Sequence, residues 1–339
     1  MLIDSIADLV SEPLFLRLRA VLPHCVVHLK IEAMNVAGSI KLKTAKKILI
    51  DLEQRGALHR GCSVIESSSG NLGVALAFLC AERGYGFTCV SDPNISPATK
   101  RLIDALGGKV IIVTERDPDG GYLKSRIDLI RRMQAADPRL VWTNQYANVS
   151  NLDAHYLSTG PEILRSIASP DWVFIGAGTT GTLAGCSRYL REHSPKTRVI
   201  AVDSVGSVTF GGPGGPRHLP GMGTSLRPQL ADECEMNRLV LVREEDAVRM
   251  CRELARRQGV LLGPSTGSVL SACASMAAEI GAEDTVVAIS PDLGDRYLET
   301  LYDDEWIRSR FPRCTDDSLA ESAQAYVAER QHALFAEQL

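Results

Sequence analysis

From residue 62 to residue 185 short apolar runs alternate with amphipathic stretches of helical length, and this rhythm fixes the architecture before any motif is weighed. Residues 63–66, 86–90, 110–113 and 173–175 read as buried strands. Residues 71–82, 96–106, 121–135 and 182–190 read as helices, the second of them opened by Ser96-Pro97, a good cap and a good first position. Apolar strands recur at 199–202 and 286–289. Strands alternating with helices of about ten to fifteen residues imply an α/β protein with mostly parallel sheets and flanking crossover helices. Residues 206–223, rich in Gly and Pro, read as a long loop whose size suggests function.

At 339 residues the chain is too long for one small core and suits two lobes. A net charge of −4 and only 5% aromatic residues give neither the basic face nor the stacking platforms of a nucleic-acid binder. Apolar runs fall far short of the ~20 residues of a spanning helix, so no membrane partner is expected. No basic stretch followed by an apolar core opens the chain, so no secretion signal is expected. The nine cysteines form no C-x-x-C pair, and the seven histidines do not cluster near them. They read as small buried hydrophobes rather than metal ligands, in a reducing cytoplasm.

Three runs carry chemistry. In Asn35-Val36-Ala37-Gly38-Ser39-Ile40-Lys41, Ser39 reads as the N-cap of a helix over 40–52, which places Lys41 near a helix N-terminus. The positive end of that dipole favours the neutral amine, the nucleophilic form. A lone lysine beside Lys43, Lys46 and Lys47 would be one solvated face; the next two runs set it apart. Ser67-Ser68-Ser69-Gly70-Asn71-Leu72-Gly73 places hydroxyls and amides between a strand and a helix, where they can hold a carboxylate, and Asn71 can donate to a ring oxygen. Gly176-Ala177-Gly178-Thr179-Thr180-Gly181-Thr182 is a phosphate cradle at a helix start. Its spacing departs from the dinucleotide fingerprint, although Asp203 stands near the distance of a ribose partner. A late run, Gly263-Pro264-Ser265-Thr266-Gly267, places a serine before another helix, which simple capping would also explain. An amine for an aldehyde, a loop for a ring and a cradle for a phosphate are the three grips that pyridoxal phosphate needs.

In this order the motifs resemble the fold-type II pyridoxal phosphate enzymes, the cysteine synthase and cystathionine β-synthase family. The resemblance runs from Glu12-Pro13-Leu14 to about Trp306. It implies a two-lobed fold: a smaller, mobile, substrate-contacting lobe at 37–147, a larger cofactor-binding lobe from 1–36 and 148–310, and a helical tail at 311–339, with a helix over 317–337. It matches Lys41 to the lysine that holds the cofactor aldehyde and Asn71 to the partner of the ring oxygen. Gly178, Thr179, Thr180, Gly181 and Thr182 match the phosphate cradle, and Ser265 the partner of the pyridine nitrogen. Ser68, Ser69 and Gln145 match groups that take the substrate carboxylate. A homodimer is also implied.

Three departures bear on the substrate. Leu42-Lys43 follows the lysine where cysteine synthases carry Asp-Arg, Leu72 replaces a Thr, and Thr180 replaces a Gly. The Ser-Ile-Lys lysine motif, the serine-rich loop and Gly294-Asp295-Arg296-Tyr297-Leu298 resemble a narrower branch, the N-(2-amino-2-carboxyethyl)-L-glutamate synthases. That resemblance implies a β-replacement joining O-phospho-L-serine to L-glutamate through an α-aminoacrylate, towards L-2,3-diaminopropionate for a siderophore or peptide antibiotic. A dianionic leaving group calls for a cation, for which Arg126 is the candidate; Arg217 or His218 could meet the second carboxylate of glutamate. The alternatives are an O-phosphoserine or O-acetylserine sulfhydrylase and a catalytically silent cofactor-binding subunit.

Overall fold

The computed structural model describes residues 5–8, 13–117, 121–312 and 314. The helix expected over 317–337 lies outside the described residues. Strands β1 (Leu14–Leu18) and β2 (Val27–Ile31) precede helix α1 (Lys41–Gln54). Then β3 (Ser63–Ser67), α2 (Asn71–Arg83), β4 (Gly86–Ser91), α3 (Pro97–Ala105), β5 (Lys109–Ile112), α4 (Leu123–Ala136) and β6 (Leu140–Trp142) alternate. Helices α5 (Val149–Tyr156) and α6 (Thr159–Ser166) lead to β7 (Trp172–Gly176), α7 (Gly181–His193) and β8 (Arg198–Ser204). After β9 (Arg238–Val242) come α8 (Glu244–Gln258), α9 (Pro264–Ser275), β10 (Val286–Ser290) and α10 (Asp304–Arg310).

The strands form two sheets. The smaller has the order β5-β4-β3-β6 and is parallel throughout, with Val64 opposite both Phe87 and Val141. The larger has the order β1-β2-β10-β7-β8-β9, antiparallel only where β1 meets β2. Strand β10 lies in its middle, with Ala288 opposite Leu29 and Phe174.

Burial explains the apolar runs. β7 and β10 are covered on both faces, so they read as unbroken hydrophobic stretches rather than as alternation. One face of the larger sheet packs Phe174, Ile200 and Ala288 on Val269, Leu270 and Val248; the other packs Ile175 and Ile289 on Leu183, Leu190 and Ile40. Helix α2 is apolar nearly all round, because it is enclosed with Leu49, Val64 and Phe87 in a separate cluster.

The caps test the local reading. Ser96 accepts from the Thr99 amide at 3.1 Å with Pro97 at the first helical position, as expected. Ser39 is a correction: α1 begins at Lys41, its N-cap is Ile40, and no side chain caps it. Ser39 instead bridges Asp292, Ile40 N–H donates to Pro291 O at 2.8 Å, and the Ser39 hydroxyl is buried without a partner. The 206–223 stretch holds no helix or strand, in keeping with its composition. Four of the loops that matter leave the carboxyl ends of parallel strands: those after β3, β6, β7 and β10. In an open α/β sheet this edge is where ligands bind.

Candidate active site

Lys41 is the first residue of α1, and its amine lies 3.5 Å from Thr179 Oγ1, on the loop between β7 and α7. Burial pushes its pKa down from 10.5 to about 8, and the Glu66 carboxylate offsets only part of that. Desolvation is the leading cause, where the sequence had suggested the helix dipole. The neighbouring lysines are not one solvated face. Lys43 is held between Glu32 and Glu162 at 2.8 and 2.7 Å, while Lys46 pairs with Asp8 and Lys47 with Asp51, each at 2.6 Å.

The cradle is shaped by close contact. A Cβ on Gly178 would stand 2.9 Å from Gly221 O, and one on Gly181 would overlap the Asn151 amide, so neither position admits a side chain. Thr180 is left-handed, at φ 66°, and its hydroxyl donates to Thr179 O at 2.7 Å. Asn151, fully buried, donates to Thr179 Oγ1 at 3.0 Å and to Gln145 O at 2.8 Å, and accepts from Thr44 at 3.1 Å. Thr182 Oγ1 lies 3.1 Å from His155 Nε2, whose other ring nitrogen meets Thr159 at 3.0 Å. Burial, reinforced by Lys43, Lys41 and Lys30, holds His155 neutral.

The serine-rich loop is tied to the loop after β6 by Glu66, which is fully buried. Its carboxylate accepts from Ser67 N–H at 2.7 Å, Gln145 N–H at 3.2 Å, Trp142 Nε1 at 3.4 Å and the Thr143 hydroxyl. Gln145 Nε2 donates to Ser67 O at 2.9 Å. Ser68 Oγ accepts from the amides of Gly70 and Gly73 at 3.2 and 3.0 Å, shaping the start of α2, while Ser69 is half-buried. Leu72 points into the apolar cluster around α2. Ser265, in the first turn of α9, is buried and packs on Gly221, which itself abuts Gly178. Asn71, the first residue of α2, accepts from Arg296 and donates to Asp292, each at 2.7 Å.

Arg126 lies in the first turns of α4, at the helix start as expected, and is buried rather than exposed. Its Nη1 lies 3.2 Å from Asp92 Oδ2, yet neither Nη1 nor Nε makes a hydrogen bond. Tyr146 lies within the fields of Arg126 and Arg217, although burial dominates and pushes its phenol pKa up. Arg217 Nη1 donates to Met222 O at 3.0 Å and its Nε is buried without a partner. The His218 ring is exposed and turned edge-on to Phe311 at 5.7 Å, while its backbone amide bonds Glu244. The structure thus gathers Lys41, the cradle, the serine loop and Gln145 into one hydrogen-bonded system, while Arg217 bonds Met222 O and the His218 ring packs on Phe311.

Sequence reasoning missed Glu66, Asn151, His155 and Asp292. Each lies in a run with no motif of its own, so only the fold reveals it. Glycines that admit nothing larger, the amides at the first turn of α7 and a buried amine with pKa about 8 beside them suit pyridoxal phosphate. The residues fit the cofactor.

Comparison with known proteins agrees. The pattern of the family described as "Pyridoxal-phosphate dependent enzyme" matches residues 13–292. An N-(2-amino-2-carboxyethyl)-L-glutamate synthase of Ralstonia nicotianae is 42% identical over 282 residues, covering 83% of each chain. An O-acetylserine dependent cystathionine beta-synthase from Helicobacter pylori superposes with a TM-score of 0.82 at 26% identity, covering 88% of this chain and 98% of that one. An O-ureido-L-serine synthase superposes with a TM-score of 0.81 at 30% identity, covering 95% and 100%. The resemblance read from the motifs, with its fold class and cofactor, is borne out. This chain belongs to the pyridoxal-phosphate dependent enzymes, and it is an enzyme of the cysteine synthase-like kind.

Proposed function

We propose that the enzyme joins O-phospho-L-serine to L-glutamate, giving N-(2-amino-2-carboxyethyl)-L-glutamate and phosphate. The Cβ–O bond to phosphate breaks, a bond from the glutamate nitrogen to Cβ forms, and that nitrogen loses a proton. The likeness to the Ralstonia synthase supports the product. The observation that carries the donor is Arg126, a buried guanidinium whose Nε and Nη1 lack hydrogen-bond acceptors. Cys89, which lies in the field of Arg126, donates to Ser68 O at 3.0 Å, so this cation borders the serine loop. A buried donor without an acceptor is costly, and a phosphate oxygen would relieve it.

Bound pyridoxal phosphate withdraws electrons from the substrate Cα, so that a proton can leave there and a leaving group from Cβ. Lys41 holds the cofactor, then takes the Cα proton and returns it to the product. Gly178, Thr179, Thr180, Gly181 and Thr182 hold its phosphate, Ser265 meets the pyridine nitrogen and Asn71 the ring oxygen. A serine at that nitrogen does not keep the ring strongly protonated, which suits β-elimination. Ser68, Ser69 and Gln145 take the α-carboxylate of the substrate. Arg217, half-buried with its Nε lacking a partner, takes the side-chain carboxylate of glutamate; His218, whose ring packs on Phe311, does not. The 37–147 lobe closes over the site and excludes water.

The same reading makes the enzyme a cytoplasmic homodimer. All nine cysteines are free, which supports a reducing compartment, and among the described residues no helix is long and apolar enough to cross a membrane. The test is to mix the cofactor-loaded protein with O-phospho-L-serine and measure phosphate with either L-glutamate or sulfide added. Glutamate-dependent phosphate release with a product of the expected mass is the predicted result. Turnover with sulfide alone would make the enzyme a sulfhydrylase, and no release with either would remove phosphoserine as donor.

A further inference from the structure

Both ends of the Asn71 amide are already met by side chains from the far end of the chain. Arg296 Nη1 donates to Asn71 Oδ1 at 2.7 Å, and Asn71 Nδ2 donates to Asp292 Oδ2 at 2.7 Å. The other terminal nitrogen of Arg296 donates to Ala37 O at 2.6 Å, tying the amide to the segment that enters α1 and Lys41. Gly38, at φ 62°, lies against that guanidinium: a Cβ there would stand 2.8 Å from Nη2. Asp292 is buried, takes the Tyr297 hydroxyl at 2.5 Å on the same oxygen, and leaves Oδ1 without a partner.

An amide normally can turn end for end at little cost, but here it cannot. A guanidinium only donates and an ionised carboxylate only accepts. Flipping Asn71 would set N–H against N–H at Arg296 and oxygen against oxygen at Asp292. The amide nitrogen is therefore the only end that can donate to a third group, and it has a second N–H to give. A hydrogen bond given to an ionisable oxygen favours its deprotonated form.

We infer that Arg296 and Asp292 are positioning residues that lock the Asn71 amide with its N–H toward the cofactor's ring oxygen, holding that oxygen deprotonated. This rests on the reading that Asn71 meets the ring oxygen. It gives Gly294-Asp295-Arg296-Tyr297-Leu298 a task at the cofactor, although Arg296 need not touch it.

The test is the absorption spectrum of the cofactor-loaded protein without substrate, recorded against pH for the wild type and for Asn71→Ala, Arg296→Ala, Arg296→Lys and Asp292→Asn. Cofactor content is measured separately after alkaline release. We expect Arg296→Ala and Asp292→Asn to lose visible absorbance and gain it at shorter wavelength, in the direction of Asn71→Ala, at unchanged cofactor content. Arg296→Lys, with one donor group in place of a fork, should fall between and serves if Arg296→Ala does not fold. A lowered Tm with an unchanged spectrum, while Asn71→Ala shifts, would make Arg296 a mere structural tie and overturn the inference. An unmoved spectrum in Asn71→Ala would remove both the reading of Asn71 and the inference with it. No substrate enters, so neither outcome depends on which donor or acceptor the enzyme uses.

Discussion

The Lys41 amine and the Asn151 amide converge on one atom, the Thr179 hydroxyl, at 3.5 and 3.0 Å. Asn151 also takes the Thr44 hydroxyl from α1 and reaches Gln145 O, so one buried amide registers the amine, the cradle and the loop after β6. Asn151→Ala should destabilise the protein by roughly 2–3 kcal/mol, since it leaves buried partners unsatisfied. It should weaken cofactor affinity as well. Thermal melts with and without pyridoxal phosphate test this; an unchanged cofactor-dependent gain in Tm would show that the register does not depend on Asn151.

Lys41 carries a stability cost that can be measured. Its folded pKa of about 8 lies below its unfolded value of 10.5, so below pH 8 the charged amine is buried against its preference. The sign is therefore that the fold gains stability as pH rises from about 8 towards 10.5, and below that window the cost is fully present. Lys41→Met in the cofactor-free protein should be more stable at neutral pH, by a figure on the order of 3 kcal/mol at most. Cofactor capture by the wild type should speed up as pH rises through about 8, as the neutral amine accumulates. A capture rate independent of pH across that point would contradict the shift.

Thr180 occupies a backbone region that suits glycine, at φ 66°. A β-branched residue there costs about 1–2 kcal/mol, against which its hydroxyl bond to Thr179 O returns part. Thr180→Gly should leave stability level or raise it by up to about 1 kcal/mol and keep cofactor binding. Thr180→Val, which loses the hydroxyl and keeps the strain, should lower both. If Thr180→Gly loses the cofactor, the hydroxyl matters more than the backbone.

How much of this the residues disclosed depended on whether a feature was local. The strand at β3, the helix α2 and the Ser96-Pro97 cap followed from periodicity and turn chemistry within a few residues. The Ser39 cap failed because a contact more than two hundred residues away, with Pro291 and Asp292, claimed its backbone. Glu66 was legible only as a strand residue; that it gathers two loops needs β3 and β6 to be neighbours. Arg126 could be named from the sequence, but its burial beside Asp92 could not, because helical periodicity does not say which face another element covers.

Arg126 and Asp92 are both buried, so removing the arginine alone would strand a carboxylate and confound any kinetic reading. The double variant Arg126→Gln with Asp92→Asn avoids that. It should lower kcat/KM for O-phospho-L-serine by roughly 10- to 100-fold, the worth of a charge-assisted hydrogen bond to a dianion. Turnover of O-acetyl-L-serine, whose leaving group has no such charge, should change little. Equal losses with both donors would show that Arg126 shapes the loop rather than reading the phosphate.

The middle position of β10 in the larger sheet bears on how the polypeptide is born. The smaller sheet draws its strands from one continuous stretch, Ser63 to Trp142, so it can assemble while the ribosome is still making the rest. The larger sheet has to wait: β2 and β7 have no strand to join them until residues 286–290 emerge and slot between them. The contacts that Pro291, Asp292 and Arg296 make with Ile40, the Asn71 amide and Ala37 therefore form only near the end of translation.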